Sequence, residues 1–161
     1  MLKSPIRVGI VGWGHIAREH AKHLQTAGAR VVGIVSRQSD LHLPFAVYSK
    51  IEDLLPQVDA ITVAVPNHLH ASCCLKAVRA GKAVMVEKPV CINADELNEL
   101  ESLLPVAQVP VHVGYRLRFN PSMLKLRTQI KGLHSIKCIY RLGIELLAED
   151  RDTSGDKRLQ Q

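Results

Sequence analysis

The chain has 161 residues, 47% of them hydrophobic and 22% charged, the balance of one globular domain with a core and too short for two full ones. Its net charge of +6 is spread over scattered Lys and Arg with only 4% aromatic residues, which argues against nucleic-acid binding and for a solvated basic surface with some attraction for phosphorylated ligands. No run approaches the roughly 18 apolar residues of a membrane span, Lys3 and Arg7 introduce no export signal, and Cys73, Cys74, Cys91 and Cys138 lack metal-ligand spacing, so buried thiols in a reducing cytoplasm and no metal site are expected.

In chain order, Ile6, Val8, Ile10 and Val11 form a β-branched run that reads as a buried parallel strand. Gly12-Trp13-Gly14-His15-Ile16-Ala17 follows at once, a Gly-x-Gly-x-x-Ala turn that opens a helix over about His15 to Ala27, closed by Gly28. Gly12 permits a tight turn, Gly14 lets a pyrophosphate approach the backbone, and Ala17 lets the helix pack closely on the strand. The anion would rest on the free N–H groups at the helix start. His20 and His23 lie three apart on this helix, but without a nearby acidic or thiol partner they read as half-exposed helix surface.

Arg30 to Val35 is the second strand, ending at Ser36-Arg37. An acidic residue at this place would bond the ribose 2′-hydroxyl of NAD; a serine and an arginine instead suit a 2′-phosphate, so the sequence leans towards NADP(H) with NAD possible. Alternatively Arg37 stacks on the adenine and leaves the preference open. A short strand near Phe45 to Val47 comes next, then a brief helix over Ile51 to Leu55 stopped by Pro56. Asp59 to Val65 is a central strand ending in Pro66-Asn67-His68-Leu69-His70, with a helix through Ala80 capped by Gly81. Lys82 to Glu87 is a further strand buried on both faces. Strands alternating with helices at this spacing give a doubly wound parallel sheet, whose ligands lie off the carboxyl ends of the strands, where Ser36, Pro66, Asn67, Glu87 and Lys88 all stand. Asn67 suits a helix N-cap as well as a cofactor contact, and Trp13 suits either packing over the cofactor or plain hydrophobic cover.

Gly12-x-Gly14-x-x-Ala17, Asp59-Ala60 leading to Pro66-Asn67-x-x-His70, Ala80-Gly81-Lys82 leading to Glu87-Lys88-Pro89, and Arg118-Phe119-x-Pro121 resemble, in order and spacing, the motifs of the Gfo/Idh/MocA oxidoreductases over residues 6 to 135. The resemblance implies an α/β Rossmann-type domain and hydride transfer between a nicotinamide and a sugar- or polyol-like hydroxyl or carbonyl. It implies Lys88 as the catalytic group, and Gly12, Trp13, Gly14, His15, Ile16, Ser36, Arg37, Val65, Pro66, Asn67, His70, Glu87 and Lys88 as cofactor-binding residues. Glu87 resembles the residue that bonds the cofactor near its nicotinamide, His70 resembles a histidine near that end, and a cis Lys88-Pro89 bond would turn Lys88 inwards.

Further on, a capped helix is expected over Ala94 to Leu104, a strand over Val109 to Gly114 and a helix from Pro121 towards Gly132. Alternation through Ile136, Cys138, Tyr140, Leu142, Ile144 and Leu146 resembles the first strand of a second, α+β domain, followed by a polar tail. The expected organisation is a dinucleotide-binding domain over 1–120, a connecting helix and one strand of a truncated second domain over 121–148, and a disordered tail over 149–161. An unpaired amphipathic strand suggests a homo-oligomer formed through residues 135–147. Such a chain is a catalytically incomplete oxidoreductase or, alternatively, a non-catalytic NAD(P)-binding module.

Overall fold

The strands are short apolar runs, and those at the centre of the sheet are buried on both faces while the edge strands are not. In the computed structural model, which describes residues 4–38 and 41–129, β1 (Arg7–Val11), β2 (Arg30–Val35), β3 (Ala46–Tyr48), β4 (Ala60–Val63), β5 (Ala83–Val86) and β6 (Val111–Val113) form one sheet. Its order is β3-β2-β1-β4-β5-β6 and every neighbouring pair is parallel. Parallel neighbours need crossover connections, supplied here by α1 (His15–Thr26), α2 (Ile51–Leu54), α3 (His70–Arg79) and α4 (Ala94–Ala107). The doubly wound α/β fold read from the sequence is the fold observed, with the strand order reversing between β1 and β4.

Two apolar clusters, one per face, hold the helices. Ile10 and Ile34 pack with Ala17 and Ala21 of α1, small residues that let this helix lie close to the sheet. Val11, Ile61, Val63, Val84 and Val86 pack with Leu54, Ala71, Leu75, Val78 and Leu100 from the other helices. Adjacent strand residues such as Ile10 and Val11 belong to different clusters, the consequence of a period of two in a strand buried on both sides. Cys74 lies in the second cluster, and burial pushes its thiol up to about 12, so it behaves as a small apolar filler.

Helix ends follow local chemistry with two departures. Asn93 caps α4 by accepting from the Glu96 amide at 2.9 Å while Glu96 Oε2 accepts from the Ile92 amide, a reciprocal cap. The helix expected over Ala94 to Leu104 runs on through Pro105 to Ala107; it closes at Gln108, whose left-handed φ of 53° and amide bond to the Leu104 carbonyl end it. Asn67, for which an N-cap was one of two readings, starts a 3₁₀ turn, Asn67–Leu69, and makes no cap bond.

By its internal contacts the chain divides into Met1–Arg118 and Phe119–Gln161. In the second unit, α5 (Pro121–Gln129) is started by Asn120, whose side chain accepts from the Ser122 and Met123 amides, with Pro121 at the first helical position. The strand expected over 135–147, the contact between copies and the tail over 149–161 lie outside the described residues. Among the described residues no helix is long and apolar enough to cross a membrane.

Two outcomes test the packing. Leu54 has no exposure and covers Gly9, where a Cβ would stand 2.6 Å from Leu54 Cδ2. Leu54→Ala is expected to lower stability by about 3 kcal/mol in urea unfolding, from lost burial plus the cavity left. At the opposite rim, Arg7 donates through its amide and guanidinium to Asp59, and these bonds hold the Asp59 carboxyl down at about 2. A depressed carboxyl contributes stability above its ordinary pKa and loses it as pH falls towards the folded value. Asp59→Asn is therefore expected to flatten the loss of stability between about pH 4 and 2, and added salt to shrink the difference because the pair is exposed.

Candidate functional site

The carboxyl ends of β1, β2, β4 and β5 stand level, because Val11 pairs with Val35 and Val63, and Val63 with Val86. Each loop leaving this rim then begins by bonding to a neighbouring strand. The Gly12 amide donates to the Val35 carbonyl at 2.9 Å, Ala64 to Val11 at 2.9 Å, Glu87 to Val63 at 3.0 Å and Gly114 to Val86 at 2.8 Å. The glycine turn, Ser36, the Val65-Pro66-Asn67 loop and the Glu87-Lys88-Pro89 corner thus share one edge of the sheet.

The two glycines of the turn differ in what they answer to. Gly12 has φ +96°, and a Cβ there would meet the Ala64 carbonyl oxygen at 2.3 Å, so the protein's own backbone requires glycine. Gly14 has an ordinary extended backbone, φ −76°, and no atom lies within 4 Å of where its Cβ would stand. Gly14 is also the N-cap of α1 without a side-chain cap, and no acidic residue occupies the first turn. His15 and Ile16, both exposed residues, begin a helix in which the Arg18 amide bonds to the Gly14 carbonyl, so the amides ahead of Arg18 have no partner in the preceding turn. A diphosphate would fit these residues: open space at Gly14, unpaired amides and the positive end of the helix.

Trp13 is half-buried and meets Phe45 edge to face at 5.4 Å between ring centroids, so it forms a wall beside the turn. At the end of β2, the Ser36 hydroxyl accepts from the Gln38 amide at 3.0 Å, and Arg37 is exposed. Pro66 and Asn67 are exposed on their loop.

Histidines organise the other half of the rim. His70, expected near the nicotinamide end, is 1% exposed, with Nδ1 at 2.6 Å from the Pro89 carbonyl oxygen and Nε2 at 2.8 Å from that of Val65. An imidazolium donates to both carbonyls and a neutral ring to one. The ring thus lies, with a carbonyl oxygen facing each nitrogen, between the β4 loop and the Lys88-Pro89 corner. That bond is cis, as the sequence suggested, and Lys88 is exposed. His20, read as half-exposed helix surface with no acidic partner near in sequence, is part-buried and finds one from afar, with Nε2 at 2.9 Å from Glu87 Oε1. Gly114 closes in from β6, where a Cβ would stand 3.0 Å from the same oxygen. Sequence reasoning missed both, because nothing local marks a contact between α1 and a residue 67 positions later.

Elsewhere, a shallow groove lined by Glu52, Pro56, Lys76, Arg79 and Lys82 opens at the amino-terminal rim, away from these loops. Two of its cations are already paired, Lys76 with Glu52 at 2.8 Å and Arg79 with Glu99 at 2.5 Å. Among the described residues no group of three or more His, Cys, Asp or Glu could hold a metal.

Residues 6–115 match the Gfo/Idh/MocA family, described as an oxidoreductase family with an NAD-binding Rossmann fold. The chain is 30% identical over 154 residues to an inositol 2-dehydrogenase/D-chiro-inositol 3-dehydrogenase of Shouchella clausii, covering 84% of this chain and 44% of that protein. It is 33% identical over 135 residues to inositol 2-dehydrogenase 1 of Saccharopolyspora erythraea, covering 76% and 40% respectively. The scyllo-inositol dehydrogenase of Lactobacillus casei, solved with bound NAD(H) and scyllo-inositol, shares the fold with a TM-score of 0.70 at 22% identity, over 79% of this chain and 41% of that one. The chain thus spans about two-fifths of the length of the relatives it matches. With the rim, the glycine turn and the matched span in agreement, the chain belongs to the Gfo/Idh/MocA oxidoreductase family, and residues 6–115 form its NAD-binding Rossmann domain.

Proposed function

We propose that this chain binds a nicotinamide dinucleotide along the rim and serves hydride transfer to or from a sugar- or polyol-like hydroxyl or carbonyl, with Lys88 as the catalytic residue. The observation that carries the reading is the unfilled approach over Gly14 at the uncapped start of α1, on the same rim as Glu87 and Lys88. Bound nicotinamide supplies the hydride acceptor or donor. The chain's own part is to hold the diphosphate on the amides of His15 and Ile16, to leave Gly14 clear beneath it, and to present Val65, Pro66 and Asn67 along its length. Trp13 borders the turn, while His70 fixes the loops and leaves ligand contact to their exposed edges. The Lys88 ammonium gives a proton to a substrate carbonyl oxygen during reduction, and the amine takes one from a hydroxyl during oxidation. The relatives named as inositol dehydrogenases support a polyol as the substrate class.

For the cofactor, Ser36 and Arg37 favour NADP(H) over NAD(H). The Ser36 oxygen accepts from Gln38 and retains its own proton to donate to a phosphate, and an exposed guanidinium makes charge-assisted bonds to the same group.

Titration of NADH and NADPH by fluorescence, followed by turnover with inositols and other polyols, tests the whole reading; binding without turnover assigns the chain to a non-catalytic nucleotide-binding role. Within that experiment the glycines separate fold from ligand. Gly14→Val is expected to lower the thermal midpoint by only about 2–5 °C, the cost of a poorer N-cap in otherwise open space, yet to weaken cofactor binding more than about tenfold. Gly12→Ala is expected to cost about 3 kcal/mol or more of stability, from the clash with Ala64 and the positive φ. Arg37→Ala is expected to weaken NADPH about fivefold or more relative to NADH, the loss of one charge-assisted contact; equal effects on the two would remove the assigned preference.

A further inference from the structure

The pair formed by His20 and Glu87 joins the two ends of the rim. His20 belongs to α1, the helix whose amino terminus receives the diphosphate in the reading above, and Glu87 directly precedes Lys88. The imidazole is 14% exposed and the carboxylate 23%, so both are largely withdrawn from solvent while lying 2.9 Å apart. Helical side chains lean towards the amino terminus of their helix, which carries the His20 ring up towards the rim from the second turn of α1. Gly114 bounds the same carboxylate from β6, and its amide bond to the Val86 carbonyl fixes that approach. The Glu87 amide is itself bonded to Val63. The backbone of Glu87 is thus set by the sheet, and the direction of its carboxylate is set by His20 on one side and the missing side chain of Gly114 on the other.

In a sheet of this order the adenosine half of a dinucleotide lies towards β2, where Ser36 and Arg37 stand, so the half bearing the reactive ring lies over β4 and β5. We propose that His20 is a positioning residue: acting through Glu87, it sets the carboxylate that faces the nicotinamide half of the cofactor, and so couples the diphosphate-holding helix to the Glu87-Lys88 corner. His20 touches neither substrate nor cofactor. Its effect is therefore confined to ligands that possess the nicotinamide half. A histidine serving only to pack α1 against the sheet would affect every ligand held by that helix alike.

The inference rests on the dinucleotide-binding reading, and the experiment separates the two. Affinities of the full chain for NADH and for ADP-ribose, which lacks the nicotinamide, are measured for wild type, His20→Leu, His20→Gln, Glu87→Gln, the His20→Leu/Glu87→Gln double variant and Gly114→Ala. Expected are an approximately tenfold weaker NADH affinity for His20→Leu with ADP-ribose unchanged within about twofold, and recovery of most of that loss by His20→Gln, whose amide donates from a similar distance. The double variant is expected to be no weaker than Glu87→Gln alone, since the two residues act as one unit. Gly114→Ala, which crowds the carboxylate from an element other than α1, is expected to reproduce the selective loss and serves if His20→Leu fails to fold. Parallel loss of NADH and ADP-ribose, or loss of neither, overturns the role of His20 while wild-type binding still stands. If wild type binds neither ligand, the binding reading itself falls and takes this role with it.

Discussion

The close passage of Gly12 against the Ala64 carbonyl is the constraint on which the rim depends. β1 lies between β2 and β4, and the chain leaving it must turn at once to start α1 while still bonding to both neighbours. The Gly12 amide closes towards Val35 on one side, and the Val11 carbonyl receives the Ala64 amide on the other. A side chain at Gly12 would stand inside the β4 loop, so the glycine turn and the Val65-Pro66-Asn67 loop can be adjacent only without one. From that adjacency follow the level strand ends and the single edge along which an elongated ligand can lie.

The rim is held differently from the core beneath it. Below, apolar side chains on both faces of the sheet are removed from water, and the gain is proportional to area and indifferent to direction. At the rim the buried groups are polar, and direction is everything. The Val65 and Pro89 carbonyls face the His70 ring, and the Glu87 carboxylate faces His20. An apolar residue at position 70 could fill the volume but would remove the ring N–H that donates to one of those carbonyls, a loss comparable to a broken hydrogen bond. Histidine serves because its two nitrogens lie on opposite edges of a flat ring and reach two segments of chain at once.

What the sequence made legible was whatever repeats locally. β-Branched runs of strand length, the Gly-x-Gly-x-x-Ala turn after the first of them, Asn93 with Glu96 at cap spacing, and Lys88-Pro89 after a strand each carry their structural meaning within a few residues. Strand ends came out shorter than expected, Ala60–Val63 where Asp59 to Val65 was read, because apolarity continues into the Ala64-Val65 loop after the ladder has parted. Asn67 and Pro105 show a propensity overridden by context: the first sits in a 3₁₀ turn that leaves it nothing to cap, and the second is tolerated near the end of α4. His20 was the real omission. On a helical wheel it sits beside Ala17 and Leu24, a pattern equally suited to a half-exposed surface, and only the order of strands in the sheet reveals that α1 passes Glu87.

These differences imply a division of labour along the rim. At the β1 end the groups that the proposed function turns towards a ligand are main-chain amides and an open glycine, which carry no side-chain entropy to lose when an anion arrives, whereas at the β2 end they are the side chains of Ser36 and Arg37. At the β5 end they are side chains, and those next to Lys88 are immobilised by contacts made behind them, while Lys88 itself remains exposed. In the proposed role Lys88 would have to reach a substrate that the sheet does not hold, so freedom at the lysine and rigidity in its neighbours are complementary requirements. Were Glu87 as free as Lys88, ordering both would oppose binding; with its carboxylate already held by His20, the ordering left to a ligand at this corner is that of one side chain.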